Sequence, residues 1–456
     1  MSTPNDAGRL NDDDREVLAA AQARIEAQRT RLREVVPCIL DMSAREATLS
    51  ANYGHTLDDK KELFRLAKDF GFTDFGLSNF LDFPSVTDQF LDHLLEDGID
   101  LDQFLVTIAV EPTQADTPPP QSPAARRAAE AGLTNVILLI EIRPATLAKI
   151  GRSPDDVLGD IARYIAHHRA HLPAETDRRG RIYIRIADAF DAFDEDPEFT
   201  TRVFKLLGES PITGILFEDV RGSRFLFETC ELIRLMRRYN PAPRKILVHP
   251  HSGNGMEDAA TVEAILAGAD GVWSGFTPQA AQGAHGSTMM FLTNLLRARN
   301  PHVERMFRVE TLTETAERMW QIQDRHGIPP NQPVVGERAY RYVDEYFEQT
   351  DQPCDLDPGL IGRKPGYQVM PAWAPTYVIG KRLAELGYGP ETAEDRGLLG
   401  AMRMLMNRSQ MEGKHIRFDE PDELAKLVER AREHLRASNV SVAEPDAASA
   451  LTLRYR

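Results

Sequence analysis

Two imidazoles one residue apart, His249 and His251, close the apolar run Lys-Ile-Leu-Val-His-Pro-His. Alternate residues of a strand point to the same side, so a strand here brings both rings to one face. Imidazole is a frequent ligand for zinc, iron, manganese or copper. Two other features join this pair. Glu46 follows an earlier apolar run and offers a hard oxygen ligand. His285 lies in a small-residue segment between Gly283 and Gly286, whose freedom lets the backbone turn tightly toward a ligand. Arg45, next to Glu46, is always charged and presents several donors, which suits an oxyanion or a substrate carboxylate.

These residues have to be positioned by something. Short apolar runs at 38–42, 74–77, 104–110, 135–142, 182–186, 214–217, 245–248 and 271–273 alternate with amphipathic stretches such as 58–70, 155–170 and 225–238. Near-continuous apolar strands separated by helices predict a parallel sheet covered by helices. Eight such units fit a (βα)8 TIM barrel, with a doubly wound open sheet as the alternative. In a barrel, chemistry sits just after the strand C-termini. Those positions hold Arg45 and Glu46, Ser78 and Asn79, Glu111, Glu141 and Arg143, Asp188, Glu218 and Asp219, and His249 and His251. A proline-rich loop at 112–123 falls on the same face, as a flap or a plain connection.

The expected organisation is an N-terminal helical segment at 1–35, a barrel at 36–300, a helical C-terminal extension at 301–438 and a loose tail at 439–456. The post-barrel stretches, rich in linkers and short helices, look unable to form a core alone. With a net charge of −16 over 456 residues, the chain is a poor general nucleic-acid binder. Its three cysteines are far apart, which argues against a disulfide framework or a thiolate zinc site. No apolar run reaches bilayer-spanning length and the N-terminus is polar, so a cytoplasmic protein without membrane contact is expected.

The residues around the site resemble a known family. The segment from Asp41 through Arg45 and Glu46 to Lys60 matches, without a gap, the first motif of the DRE-TIM metallolyases, the metal-dependent barrels that include isopropylmalate synthase, homocitrate synthase and hydroxymethylglutaryl-CoA lyase. His249-Pro-His251-Ser-Gly-Asn-Gly255, leading to Ala267-Gly-Ala269, is similar to their His-x-His motif and the helix after it. Val335-Gly336-Glu337 resembles a segment that follows the barrel in the synthases, so the likeness covers most of residues 36–390.

The resemblance implies a divalent metal on Glu46, His249, His251 and His285, with Glu46 at the position of a family aspartate and His285 at that of an asparagine. Such a nitrogen-rich set favours zinc, manganese, iron or cobalt over magnesium. It implies catalysis by Arg45, with Asp188, Glu218, Tyr342 and His251 as the groups among which to seek a base, and substrate binding by Arg45 and Arg221. The activity implied is condensation of an acyl-CoA such as acetyl-CoA with a 2-oxo acid. A carbon–carbon lyase or aldolase is the alternative, as is a non-heme metal enzyme that has left the family reaction. The lyase's catalytic cysteine has no counterpart near 275–287. Family synthases are commonly dimers, so a homodimer is expected.

Overall fold

The computed structural model describes residues 10–50, 54–77, 80, 83–114, 118–187, 189–280, 283–325, 327–344, 356–371 and 373–438. The expected tail at 439–456 lies outside these residues, as do Ser78, Asn79, Asp188 and part of the loop at 112–123. The chain divides into two compact units, Met1–Gly327 and Ile328–Arg456.

The first unit is a closed (βα)8 TIM barrel. Its strands are β1 (Cys38–Asp41), β2 (Phe75–Gly76), β3 (Phe104–Ala109), β4 (Val136–Ile140), β5 (Ile182–Ile186), β6 (Gly214–Asp219), β7 (Lys245–Pro250) and β8 (Gly271–Ser274). They pair in sequence order, all parallel, and β8 closes onto β1 through the register Cys38–Gly271 to Asp41–Ser274. Each falls on an expected run, and closure excludes the open sheet.

The strands read as continuous apolar runs because both of their faces are covered. One set of side chains meets inside the barrel: Leu40, Met42, Leu105, Ile137, Tyr183, Leu216, Leu247 and Trp273, with Cys38 packed against them. The alternate residues, among them Ile39, Val106, Leu138, Ile184, Ile215, Ile246 and Val272, are buried against the helices. Period two then assigns the rest of the interior. From N- to C-terminal end, β7 presents Lys245, Leu247 and His249; β6 presents Gly214, Leu216 and Glu218; β5 presents Tyr183 and Arg185. Gly214 lies in register between Tyr183 and Lys245. A Cβ there would come within 2.7 Å of the Lys245 carbonyl oxygen and the Tyr183 ring, so this place in the wall takes only glycine.

Helix α1 (Asp12–Glu34) opens with a capping box between Asn11 and Asp14. It buries none of its residues. Hydrogen bonds attach it instead: Arg31 donates to the carbonyls of Ile265 and Ala269 at 3.2 and 2.9 Å, and the Asn300 amide donates to those of Leu32 and Val35 at 2.8 Å each. Helix α2 (Ser43–Ser50) begins directly after β1 and carries Arg45 and Glu46 in its first turns. Helix α3 (Leu57–Phe70), capped by Thr56 and Asp59, buries Leu63, Phe64, Ala67 and Phe70 at the three- and four-residue spacing of one helical face.

The second unit has its own core. Leu383, Leu399, Met402, Met406, Leu424 and Val428 meet there, supplied by helices Thr376–Glu385, Arg396–Met411 and Pro421–Ser438. This corrects the expectation that the post-barrel segments cannot form a core alone. Tyr342 belongs to this unit, in a short parallel pair with Tyr367, the two rings 5.8 Å apart. No helix among the described residues is long and apolar enough to cross a membrane.

Candidate metal centre

At the C-terminal end of the barrel, His249, His251 and Glu218 come together. All three are buried, and their potential ligand atoms lie within 4.8 Å of one another. The two histidines reach this place by strand alternation. Glu218 reaches it because β6 pairs with β7 in the register Glu218–His249.

The orientation of His249 is fixed. Its Nδ1 lies 2.7 Å from the main-chain oxygen of Trp273, and its ring stacks on Trp273 with 4.3 Å between centroids. A carbonyl only accepts, so Nδ1 carries the proton and Nε2 keeps its lone pair. Nε2 is buried and has no hydrogen-bond partner among the described residues. A buried acceptor left unpaired costs stability, and a cation is the partner that imidazole most readily takes. A main-chain bond to the second ring nitrogen is also what metal-bound histidines ordinarily show.

Glu218 is held from the other side. Arg185 donates to both of its carboxylate oxygens, at 2.8 and 3.0 Å. The guanidinium in turn lies over the Trp273 ring, 5.0 Å from its centroid. His251 Nε2 is 3.5 Å from Glu218 Oε1. Burial pushes the Glu218 carboxyl upward, but Arg185, with His251 and His249, outweighs it and brings the group down to about 2. His249 moves the opposite way. Burial, then the neighbouring His285 and His251, hold it well below the ordinary imidazole range. The centre therefore offers neutral His249 nitrogen beside an ionised carboxylate. Two imidazoles and a carboxylate fit zinc, manganese, iron or cobalt, and the residues present fit such an ion.

Glu46 and His285 border this group. Glu46 is 3% exposed and pairs with Arg45. Burial raises its carboxyl, while Arg45, His285, Arg185 and His251 lower it further, to a net fall. The His285 ring is 4.8 Å from that of His249. Its Nδ1 lies 2.7 Å from the Ser274 hydroxyl and 2.9 Å from the Gly286 carbonyl, and the Gly275 amide approaches Nε2 at 3.4 Å. Both ring nitrogens of His285 thus already face protein groups, whereas one of His249 does not. Arg45 is buried, and its Nε has no partner among the described residues.

The remaining sequence candidates lie elsewhere. Arg221 is exposed and pairs with Asp191, which also gathers Arg224 at 2.6 Å. Asp219 accepts the main-chain amides of Ser223 and Arg224 at 3.4 and 3.1 Å and so shapes a turn. Tyr342 lies in the second unit. Two cations hold positions at the centre that sequence reading did not assign. Arg185 looks like one polar residue in an otherwise apolar strand. Lys60 donates to the Ala44 carbonyl at 2.6 Å, at the start of the helix that carries Arg45 and Glu46. Burial, then Arg45, bring its ammonium down to about 8.

No family model matches the chain. Two archaeal proteins are related to it in sequence. One, from Archaeoglobus fulgidus, is named as an (R)-citramalate synthase; it is 25% identical over 185 residues, 39% of this chain and 36% of that protein. The other, from Methanosarcina mazei, is named as a 2-isopropylmalate synthase and is 28% identical over 188 residues, 39% of this chain and 34% of that protein. The chain is thus similar, over 39% of its length, to proteins named as synthases of the family that its motifs resemble. The match spans about a third of each relative, so their whole activities are not carried over with it. Among solved structures, the chain is similar to hydroxymethylglutaryl-CoA lyase from Pseudomonas aeruginosa, with a TM-score of 0.49 and 17% identity over 64% of this chain and 94% of that one.

Proposed function

We propose that the barrel is a metal-dependent acyltransferase that joins an acyl-CoA to a 2-oxo acid. The observation that carries this reading is the buried Glu218–His249–His251 cluster with its unpaired His249 Nε2, beside Arg45. His249, His251 and Glu218 would hold the ion, with Glu46 and His285 adjoining. A bound divalent ion supplies Lewis acidity toward the oxygens of a 2-oxo acid.

The residues of the chain do the rest. Arg185 fixes Glu218 in place and keeps it ionised, which makes it a ligand rather than a base. The Trp273 carbonyl fixes the tautomer of His249. Arg45, a permanent cation, stabilises the negative charge that develops on the keto oxygen. The relatives named as citramalate and isopropylmalate synthases support this substrate class.

Incubating the metal-loaded protein with acetyl-CoA and a panel of 2-oxo acids tests the reading. One of them should release free thiol. Arg45→Lys should lower kcat about 10²–10³-fold, the loss typical of one oxyanion donor, with metal content unchanged. Turnover kept by Arg45→Lys refutes the role given to this residue.

The donor set itself favours a second reading. Two histidines and one carboxylate are also the ligands of non-heme iron(II) oxygenases. Iron in the purified protein, together with oxygen uptake and no thiol release from any 2-oxo acid, would select it.

A further inference from the structure

A cavity of about 770 Å³ opens at the other end of the barrel. Its walls are the N-terminal ends of β1, β5, β6 and β7. Leu40, Leu105 and Leu247 form its floor and separate it from the metal centre. This end of a barrel ordinarily serves stability, and an unfilled interior forfeits packing.

Three donors of the lining stand out. The Lys245 ammonium, on a partly exposed side chain, and the Tyr183 phenol make no hydrogen bond or ion pair among the described residues. The third is the Cys38 thiol. Burial pushes it up to about 11 and lifts the Tyr183 phenol well above its ordinary range, so both stay protonated at neutral pH.

The other charged groups around the cavity are already engaged or stand in solvent. Asp74 pairs with Arg181. Glu175 accepts from Arg169 at 3.2 Å and from the Thr213 hydroxyl at 2.6 Å. Arg244 donates to the Leu207 and Ser210 carbonyls at 2.5 and 2.6 Å. Asp177 is exposed at the rim. What remains over the leucine floor is one uncompensated ammonium flanked by neutral donors. That arrangement calls for an anion with several acceptor atoms and an apolar body.

We propose that this cavity is a second binding site, taking a small amphipathic carboxylate whose head rests on Lys245 and Tyr183 and whose apolar body lies on Leu40, Leu105 and Leu247. The site is independent of the metal centre and of the reaction proposed for it.

Titration calorimetry on the full chain tests this with 4-methylpentanoate, its uncharged amide and inorganic phosphate as probes. The carboxylate should bind saturably. The amide should bind about tenfold or more weakly, since it lacks the charge, and phosphate likewise, since it lacks the apolar body. Lys245→Met should weaken carboxylate binding by about the same factor. His249→Ala with His251→Ala should leave it unchanged, which separates this site from a carboxylate held at the metal centre. Should Lys245→Met misfold, Tyr183→Phe, which removes a single oxygen, makes the same comparison with a roughly three- to tenfold loss. No saturable binding by the wild type overturns the proposal. So does equal binding of the amide or of phosphate, undiminished binding by the folded Lys245 or Tyr183 variant, or loss of binding in the double histidine variant.

Discussion

The two ends of the barrel interior are built on the same strands and differ in almost every physical respect. At the C-terminal end, Glu218, His249, Arg185 and Trp273 are cross-braced: a bidentate ion pair, a ring stack and a main-chain hydrogen bond leave one nitrogen open. At the N-terminal end, Lys245, Tyr183 and Cys38 face a cavity of about 770 Å³ with no partner among the described residues. Between the two lies a layer of Leu40, Leu105, Leu216 and Leu247. Strands β5 and β7 contribute to both ends, at intervals of two and four residues, so period-two geometry delivers side chains to both alike. The difference arises from what neighbouring strands place beside them. Arginine across from glutamate makes a rigid charged cluster; tyrosine and lysine, flanking Gly214 in register, make no such pair.

The largest effect should come from unbracing the charged end. Arg185→Met leaves the buried Glu218 carboxylate without its counterion and should destabilise the metal-free protein by about 3–5 kcal/mol in denaturant titration. Adding a divalent ion should recover part of that loss, because the ion replaces the missing positive charge. Wild-type stability in the metal-free variant would mean that the brace holds nothing.

The leucine layer comes next. Leu247→Ala removes a fully buried side chain and should cost about 2–5 kcal/mol. Lys245→Met, two residues away on the same strand, should stay within about 0.5 kcal/mol of wild type. Equal losses at the two positions would contradict a packed middle beside a hollow end.

The smallest effect concerns proton uptake at the hollow end. The Cys38 thiol has its folded value raised from 9.0 to about 11, chiefly by burial. Between these values the unfolded chain releases the proton while the folded chain keeps it. Stability contributed by this group is therefore complete below pH 9 and lost as pH rises through about 11. Peptide mapping after iodoacetamide treatment should show Cys38 nearly inert at pH 8 and increasingly labelled toward pH 11. Rapid labelling at pH 8 would show a thiol that is not held protonated.

Much of this organisation is legible in the sequence. The eight strands are, because a strand buried on both faces must read as an apolar run. The pairing of His249 with His251 is, because it needs only the period of a strand. The placement of Arg45 and Glu46 after the first strand comes through the family motif. The grouping of Glu218 with the two histidines is harder to read, since it depends on which strand lies beside β7 and in what register. Arg185 was hidden for the same reason. Its partner is 33 residues away, and a lone arginine in Ile-Tyr-Ile-Arg-Ile looks like alternation. The cavity depends on which residues of several strands and loops fall level at one end of the barrel, which no single run of sequence displays.

The chemistry proposed for the C-terminal end depends on Glu218, His249 and His251 forming one metal centre. Metal analysis of the purified protein tests this directly, by inductively coupled plasma mass spectrometry on wild type, on His249→Ala with His251→Ala, and on Glu218→Gln. The expected result is about one transition-metal ion per wild-type chain, none in the double histidine variant, and a strongly reduced content in Glu218→Gln with the fold intact by circular dichroism. Full metal content in the double histidine variant would contradict the centre itself. Full content in Glu218→Gln alone would place the carboxylate ligand elsewhere, with Glu46 the adjoining buried acid.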